Sequence, residues 1–457
     1  MSVDQRLRGF MRALLPEAAT RVIRGRPLLR RLLGNGVWRV GDSVFRMGAG
    51  VFVNAYVARY LSPPGFGLLN FAAAMATLFT AIAQFGMQNV LVRELIRRPE
   101  ARATIVGSAL ILRVVAGVAS IALAVGATEL LRPGDHRAAV IVLIVAAIAL
   151  PRAWDVIDYD YQARIEARPV VIARNVSFVA FALTRPLLVL VHAPLAAFAF
   201  ALTGEGVLAT ILLLRRWRTD GMTVGMSAAR WVELRDLVAT SWPLVIAGLS
   251  MVVYMRIDQI MLAAMMGDAG VGLFSAAVKV SEALYFLPMA AIATVAPVLT
   301  DLHRRSSAEY ERQMLQVMRI LVWTALAVAA IFAIFSRLII LILYGPAYAP
   351  AAAVLSIHAW IGVLVSLDYC NNQWLINEGY LKFNMYQTLA GAAVNIALNL
   401  VLIPRLGIIG AALASCAGQL AAVILLKALV PKTRRLLRLQ LAAFALPLRF
   451  EHGSGTA

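Results

Sequence analysis

Gly65-Phe66-Gly67-Leu68-Leu69-Asn70-Phe71-Ala72 is echoed further along the chain by Gly270-Val271-Gly272-Leu273-Phe274-Ser275-Ala276-Ala277. A second pair repeats in the same order: Pro194 to Leu214 (PLAAFAFALTGEGVLATILLL) and Gly407 to Lys427 (GIIGAALASCAGQLAAVILLK). The offsets are about 205 and about 213 residues, so one long period covers the 457 residues. Two similar halves facing a shared cavity are a common plan for membrane transporters.

The composition around these repeats belongs to a bilayer. The chain is 61% hydrophobic and 15% charged, with mean hydropathy +0.79. It is read as all-α and polytopic, because a backbone in hydrocarbon must satisfy its own hydrogen bonds. About twelve spans of roughly twenty residues fit. They fall near 37–58, 67–90, 104–127, 137–157, 169–191 and 194–214, then 238–264, 270–298, 318–343, 350–376, 383–403 and 407–429. The expected organisation is a basic amphipathic segment (1–36), a six-helix bundle (37–215), a cytoplasmic linker (216–237), a second six-helix bundle (238–430) and a basic tail (431–457). A longer cytoplasmic loop, Asp301 to Arg319, accounts for the change in offset. Residues 1–33 lack the apolar core of a cleavable signal peptide. Their helical spacing of apolar residues among arginines suits an anionic inner leaflet, and a disordered basic tail is the other reading.

The net charge of +19 is placed asymmetrically. Clusters at Arg93, Arg97, Arg98 and Arg102, at Arg215 to Arg235, at Arg304 to Arg319 and in the tail from Lys427 onward share one side. The other side holds Arg59, Arg132, Arg137 and Arg405, with Arg337 near a span end. The positive-inside rule then places both termini in the cytoplasm. Nucleic-acid binding is the competing account of a basic chain, but the charge sits at membrane flanks. Cys370 and Cys416 fall inside spans and suggest neither a disulfide framework nor a metal site.

Charges within spans are costly and usually face a cavity or a partner. The candidate cationic cavity residues are Arg46, Arg174, Arg185, Arg256 and Lys279, suited to a phosphate- or carboxylate-bearing substrate. The bland alternative neutralises each with a nearby carboxylate, or lets it snorkel, as expected for Arg39 and Arg113. Asp42, Asp258, Glu282 and Asp368 are read as counter-ions, with proton or sodium coupling as the alternative. Asp42 can pair with Arg46, and Lys279 with Glu282 at i,i+3. Pro151, Pro243, Pro288 and Pro297 interrupt helices as hinges or as static kinks. Asp158-Tyr159-Asp160 matches the D-x-D of sugar transferases only by chance, since no nucleotide-binding fold surrounds it. His358 reads as a packed neutral histidine. Short outer loops argue against a membrane glycan polymerase and for moving a substrate rather than joining it.

Ala58 to Gly67 (ARYLSPPGFG), Arg256 to Leu262 followed by Val271 to Glu282, and Asn395 to Ala412 (NIALNLVLIPRLGIIGAA) together resemble the polysaccharide, or O-antigen, flippase family. That family sits in the multidrug, oligosaccharidyl-lipid and polysaccharide exporter superfamily. The resemblance implies two six-helix bundles around a central cavity and no enzymatic step. The implied substrate is an oligosaccharide on a polyprenyl diphosphate, turned across the bacterial inner membrane for O-antigen, capsule or exopolysaccharide assembly. Implied partners are that lipid-linked glycan, anionic lipids, a polysaccharide polymerase and glycosyltransferases. On this chain the cationic role falls on Arg46, Arg174, Arg256 and Lys279. No cofactor is expected beyond a coupling proton or sodium ion. Cation-coupled multidrug or metabolite export and lipid II flipping are the alternatives.

Overall fold

The computed structural model describes residues 27–84, 86–222 and 228–445, with side chains for all of these except 27–47, 243, 244, 246, 247 and 381. The expected amphipathic segment up to residue 26 lies outside the described residues, as do the side chains of Arg39, Asp42 and Arg46. Every regular element among the described residues is helical.

Among the described residues, ten helical segments are long and apolar enough to cross a bilayer. Two of them, Gly48–Arg97 and Gly248–Arg305, run 50 and 58 residues. At 1.5 Å per residue these would reach about 75 and about 87 Å, against a hydrocarbon core of about 30 Å. A non-helical residue in the interior divides each into two spans. Ser62 (φ 57°, ψ 170°) precedes Pro63 and Pro64, and Gly267 (φ 72°, ψ −172°) divides the second segment. Both conformations lie where glycine is the residue at ease. The breaks stand about 205 residues apart, at the repeat's own offset. Each long segment therefore supplies two spans, and the chain is a multi-pass membrane protein of twelve.

The first and second spans are 27–61 and 63–84. The third to sixth are Pro99–Leu131, His136–Ala163, Arg168–Leu190 and Leu195–Thr219. The seventh and eighth are 231–266 and 268–305. The ninth to twelfth are Ser307–Tyr344, Ala351–Asn377, Leu381–Leu406 and Ile408–Leu429. The short helix Met87–Arg97 extends the second span, and Arg434–Ala443 follows the twelfth. The long loop expected over 301–319 is helix instead. Helix runs to Arg305 and restarts at Ser307, because Ser306 Oγ caps it by accepting from the Glu309 amide at 3.3 Å. The seventh span also begins earlier than expected, at Trp231.

Core packing divides along the membrane normal. At the arginine-poor face both halves share one core, with Phe66, Phe71 and Met75 meeting Phe274, Tyr344 and Tyr348. Toward the arginine-rich face it splits. One core holds Leu91, Leu110, Tyr161 and Trp217 of the first half, with Leu237 from the seventh span. The other holds Met314, Met318, Trp374 and Leu436 of the second half. The halves are thus fused at one face, and at the other they have separate cores joined only at the start of the seventh span.

Two glycines make the fusion. A Cβ on Gly67 would stand 1.7 Å from the Asp268 carbonyl oxygen, and one on Gly272 would stand 2.0 Å from that of Pro63. Gly67 and Gly272 are equivalent repeat positions, and so are Pro63 and Asp268. The two contacts are one contact seen from each side of a pseudo-two-fold axis. Around it, the Tyr348 hydroxyl donates to the Ala58 carbonyl at 2.8 Å and Arg59 Nε to that of Leu343 at 2.9 Å. Arg132 lies 2.7 Å from Asp268, donates to the Ala263 carbonyl at 3.1 Å and covers the Phe71 ring. At the opposite face, Arg98 holds Glu233 through contacts of 2.7 and 3.2 Å. That hydrogen bond, together with the Glu233 and Glu94 charges, raises the Arg98 pKa above its ordinary value.

Candidate transport cavities and their charges

Each half encloses a cavity. In the first half, about 630 Å³ lies between the second, fourth, fifth and sixth spans, with Arg152, Trp154, Asp155, Arg174 and Glu205 on its wall. The fourth span makes the room, because its helix is interrupted at Ala147–Ile148 and again at Trp154–Asp155, around Pro151. Interruption strands backbone carbonyls, which must find other donors. Thr203 Oγ1 donates to Ile144 at 2.7 Å, Thr210 Oγ1 to Pro151 at 3.1 Å and Arg113 Nη2 to Arg152 at 2.6 Å. Arg113 also donates to the Tyr159 hydroxyl at 2.8 Å and is 2% exposed. It therefore does not snorkel; the broken fourth span needs its donors.

The first half's cations carry partners. Arg174 donates to Asp158 at 2.9 Å, and Arg185 to Glu205 at 2.7 Å. Arg185 Nε remains buried without an acceptor among the described residues. Asp158-Tyr159-Asp160 has structural work: Asp160 accepts from Arg102, from Arg164 at 2.9 Å and from the Trp217 indole at 2.8 Å. Arg152, absent from the sequence reading, makes no side-chain hydrogen bond or ion pair among the described residues while facing the cavity.

The second half's cavity, about 210 Å³, has the opposite character. Asp258, Glu282 and Asp368 line it with Tyr254, Tyr285 and His358, and no lysine or arginine does. Asp258 is not a counter-ion of Arg256. It accepts from Asn395 Nδ2 at 2.9 Å, Asn399 Nδ2 at 2.5 Å and Ser415 Oγ at 2.7 Å, all neutral. Glu282 meets Arg256 at 3.7 Å rather than Lys279. Asp368 accepts from Gln387 Nε2 at 3.3 Å, and the same amide's oxygen accepts from Lys427 Nζ at 3.0 Å. Lys427, expected in the tail, is 0% exposed inside the twelfth span. A π-helical turn, Ala421–Leu425, precedes it, and the Val423 carbonyl accepts from Lys427 at 2.7 Å and from Gln440 at 3.0 Å. His358 is packed, with Nδ1 2.7 Å from Ser281 Oγ and its ring edge-on to Phe274.

The expected surplus of arginine is therefore mostly neutralised pairwise, with one cation left at the midline. Lys279 makes no hydrogen bond or ion pair among the described residues, and its Nζ lies 6.0 Å from the Phe66 ring centre of the other half. The charges acting on it are Arg256, Glu282 and Arg185. Two further candidate cations, Arg185 and Arg256, thus act electrostatically on Lys279 while each is held by a carboxylate of its own. Arg174 stands apart beside Asp155 and Asp158, and the Arg46 side chain is outside the described residues. Arg152, Glu205, Gln387 and the Asn395–Asn399–Ser415 cage were missed. Glu205 was open to view as an acid in an apolar run, and Asn395 and Asn399 as polar residues one helical turn apart.

Solved structures share this fold. An inward-facing multidrug resistance MATE family transporter of the MOP superfamily is 15% identical, with 89% of this chain and 99% of that one covered and a TM-score of 0.72. The lipid II flippase MurJ, inward closed, is 12% identical over 89% of this chain and 90% of its own, with a TM-score of 0.70. An outward-facing MATE family transporter is 16% identical over 89% and 96%, with a TM-score of 0.58. No curated protein matches the chain. The profile of a family described as polysaccharide biosynthesis protein matches residues 32–303, more than half of the sequence. The chain belongs to that polysaccharide biosynthesis family, and its fold is that of the MOP-type transporters and flippases.

Proposed function

We propose that this protein flips a polyprenyl-diphosphate-linked oligosaccharide from the inner to the outer leaflet of a bacterial inner membrane. The arginine-rich face is cytoplasmic, following the positive-inside rule. The sugar–diphosphate head enters from that face, where the two halves have separate cores. The prenyl tail stays in lipid, and rocking of the halves about their fused end switches access. The observation that carries the reading is Lys279, a cation between the halves with no counter-charge in direct contact among the described residues. A diphosphate supplies that charge, with Arg185 and Arg256 beside it. Asp258 and Asp368 serve as the ion-coupling groups, since neither has a cation in direct contact among the described residues.

Proteoliposomes loaded with a fluorescent polyprenyl-diphosphate oligosaccharide test this. Lys279→Gln is expected to slow flipping at least tenfold while Lys279→Arg retains most of it. Wild-type rates in Lys279→Gln refute the assignment. One observation favours a second reading, export of cationic compounds: the acid- and tyrosine-lined cavity of the second half. Saturable uptake of a cationic dye by the same vesicles, without glycan flipping, selects it.

A further inference from the structure

Outside both cavities, the fifth and sixth spans part toward the arginine-rich face and leave a groove of about 460 Å³. Ile172, Ala173 and Val176 form one wall and Leu212 the other, and Arg168 and Arg216 close the end. Ile172 and Val176 are 51% and 50% exposed, so the slot opens sideways into lipid. From Arg168 to Val176 the fifth span rises about 12 Å, close to the apolar depth of one leaflet, about 15 Å. Arg168 makes no hydrogen bond or ion pair among the described residues. Arg216 meets Asp220 at 2.9 Å, yet its side chain is 60% exposed and retains free donors.

We infer that this groove is a binding site for one anionic phospholipid of the arginine-rich leaflet. An acyl chain fills the apolar slot, and the phosphodiester bridges the two guanidiniums, whose planar forks suit phosphate oxygens. A zwitterionic lipid would bring its amine against two cations, so the site discriminates by headgroup charge. The groove backs onto the transport machinery, because Ala173 lines both the groove and the first half's cavity. An occupied groove holds the fifth and sixth spans in register behind Arg174. The site goes beyond the proposed substrate and depends on that reading only for the leaflet's name.

Native mass spectrometry of the purified full chain, titrated with equal phosphatidylglycerol and phosphatidylethanolamine, tests the inference. One tightly retained phosphatidylglycerol is expected. Arg168→Ala with Arg216→Ala should weaken it about 25-fold, at about fivefold per arginine. Arg93→Ala with Arg97→Ala, on the same face but outside the groove, should leave it intact. Ile172→Trp, which fills the slot and keeps both arginines, should also lose the adduct, so misfolding of the arginine variant does not decide the matter. Equal retention of the two lipids, or full retention in both groove variants, overturns the site. Displacement of phosphatidylglycerol by a polyprenyl phosphate added at equal concentration also overturns it and gives the groove to the substrate's carrier.

Discussion

Gly67→Ala tests the fused end of the molecule. The new methyl carbon would lie 1.7 Å from the Asp268 carbonyl oxygen, 2.7 Å from its carbon and 2.8 Å from the Gly272 amide nitrogen. An unstrained carbon–oxygen contact is about 3.3 Å, so the spans must separate by about 1.6 Å. All three contacts are with backbone, and no rotamer change relieves them. Overpacking of this kind costs about 1–3 kcal/mol, and here the upper end applies. The penalty exists only while the halves touch at Gly67 and Gly272. It therefore acts on the conformational equilibrium, and about 3 kcal/mol moves that equilibrium about 150-fold toward states parted at this face. Gly272→Ala, 2.0 Å from the Pro63 carbonyl, should act in the same direction, and the double variant should fall short of the sum because both substitutions open one contact. The readout is labelling of Ala58→Cys by a membrane-impermeant maleimide, in a background lacking Cys370 and Cys416. Ala58 is fully buried beneath the Tyr348 hydroxyl and should stay unlabelled until the seal parts. Gly126→Ala, with nothing within 4 Å of its added carbon, should change nothing. Unchanged labelling and unchanged thermal stability in Gly67→Ala would refute the seal.

The ion contact beside that seal makes a second case. Arg132→Ala should raise the same labelling, since it removes the Asp268 contact, the Ala263 hydrogen bond and the cover over Phe71. A double-mutant cycle with Asp268→Ala should return a coupling of about 1–2 kcal/mol for this largely buried pair, and a coupling near zero removes it from the gate. In the second half, Lys427→Met leaves the Gln387 oxygen without its donor and the Asp368 charge without the cation beyond it. It should destabilise the protein by about 3 kcal/mol in a detergent melt, and Asp368→Asn in the same chain should recover most of that. A loss within 0.5 kcal/mol, or no recovery, breaks the proposed link through the Gln387 amide.

Twelve spans and a two-fold repeat were legible because both are written in hydropathy, which a single chain displays openly. The equivalence of Ser62 and Gly267 was implicit in the same repeat, with Gly67 and Gly272 marking where the backbones touch. Charge pairing was legible only in part. Arg185 finds Glu205 on the next span and Arg174 finds Asp158 on the previous one, both within reach of topology. Asp258 instead draws its donors from residues 137 to 157 positions away, so one sequence gives no geometric clue to the cage. Lys427 groups with the basic tail in the sequence because it stands at the end of the last apolar run, beside Lys432 and Arg434. Here the π-helical turn exposes the Val423 carbonyl to it, and the side chain turns inward.

The two cavities differ in a way the repeat does not predict. Equivalent helices frame them, yet arginines and carboxylates together line one, while Asp258, Glu282 and Asp368 line the other with no lysine or arginine among the described lining residues. On the proposed function, this divergence of charge on a shared backbone divides the tasks between the halves. The second half carries groups suited to hold a proton or a small cation. The first half, with Arg152 on its cavity wall unpaired among the described residues, carries a group suited to an anion. A substrate anion and a driving cation can then act on opposite sides of one rigid seal.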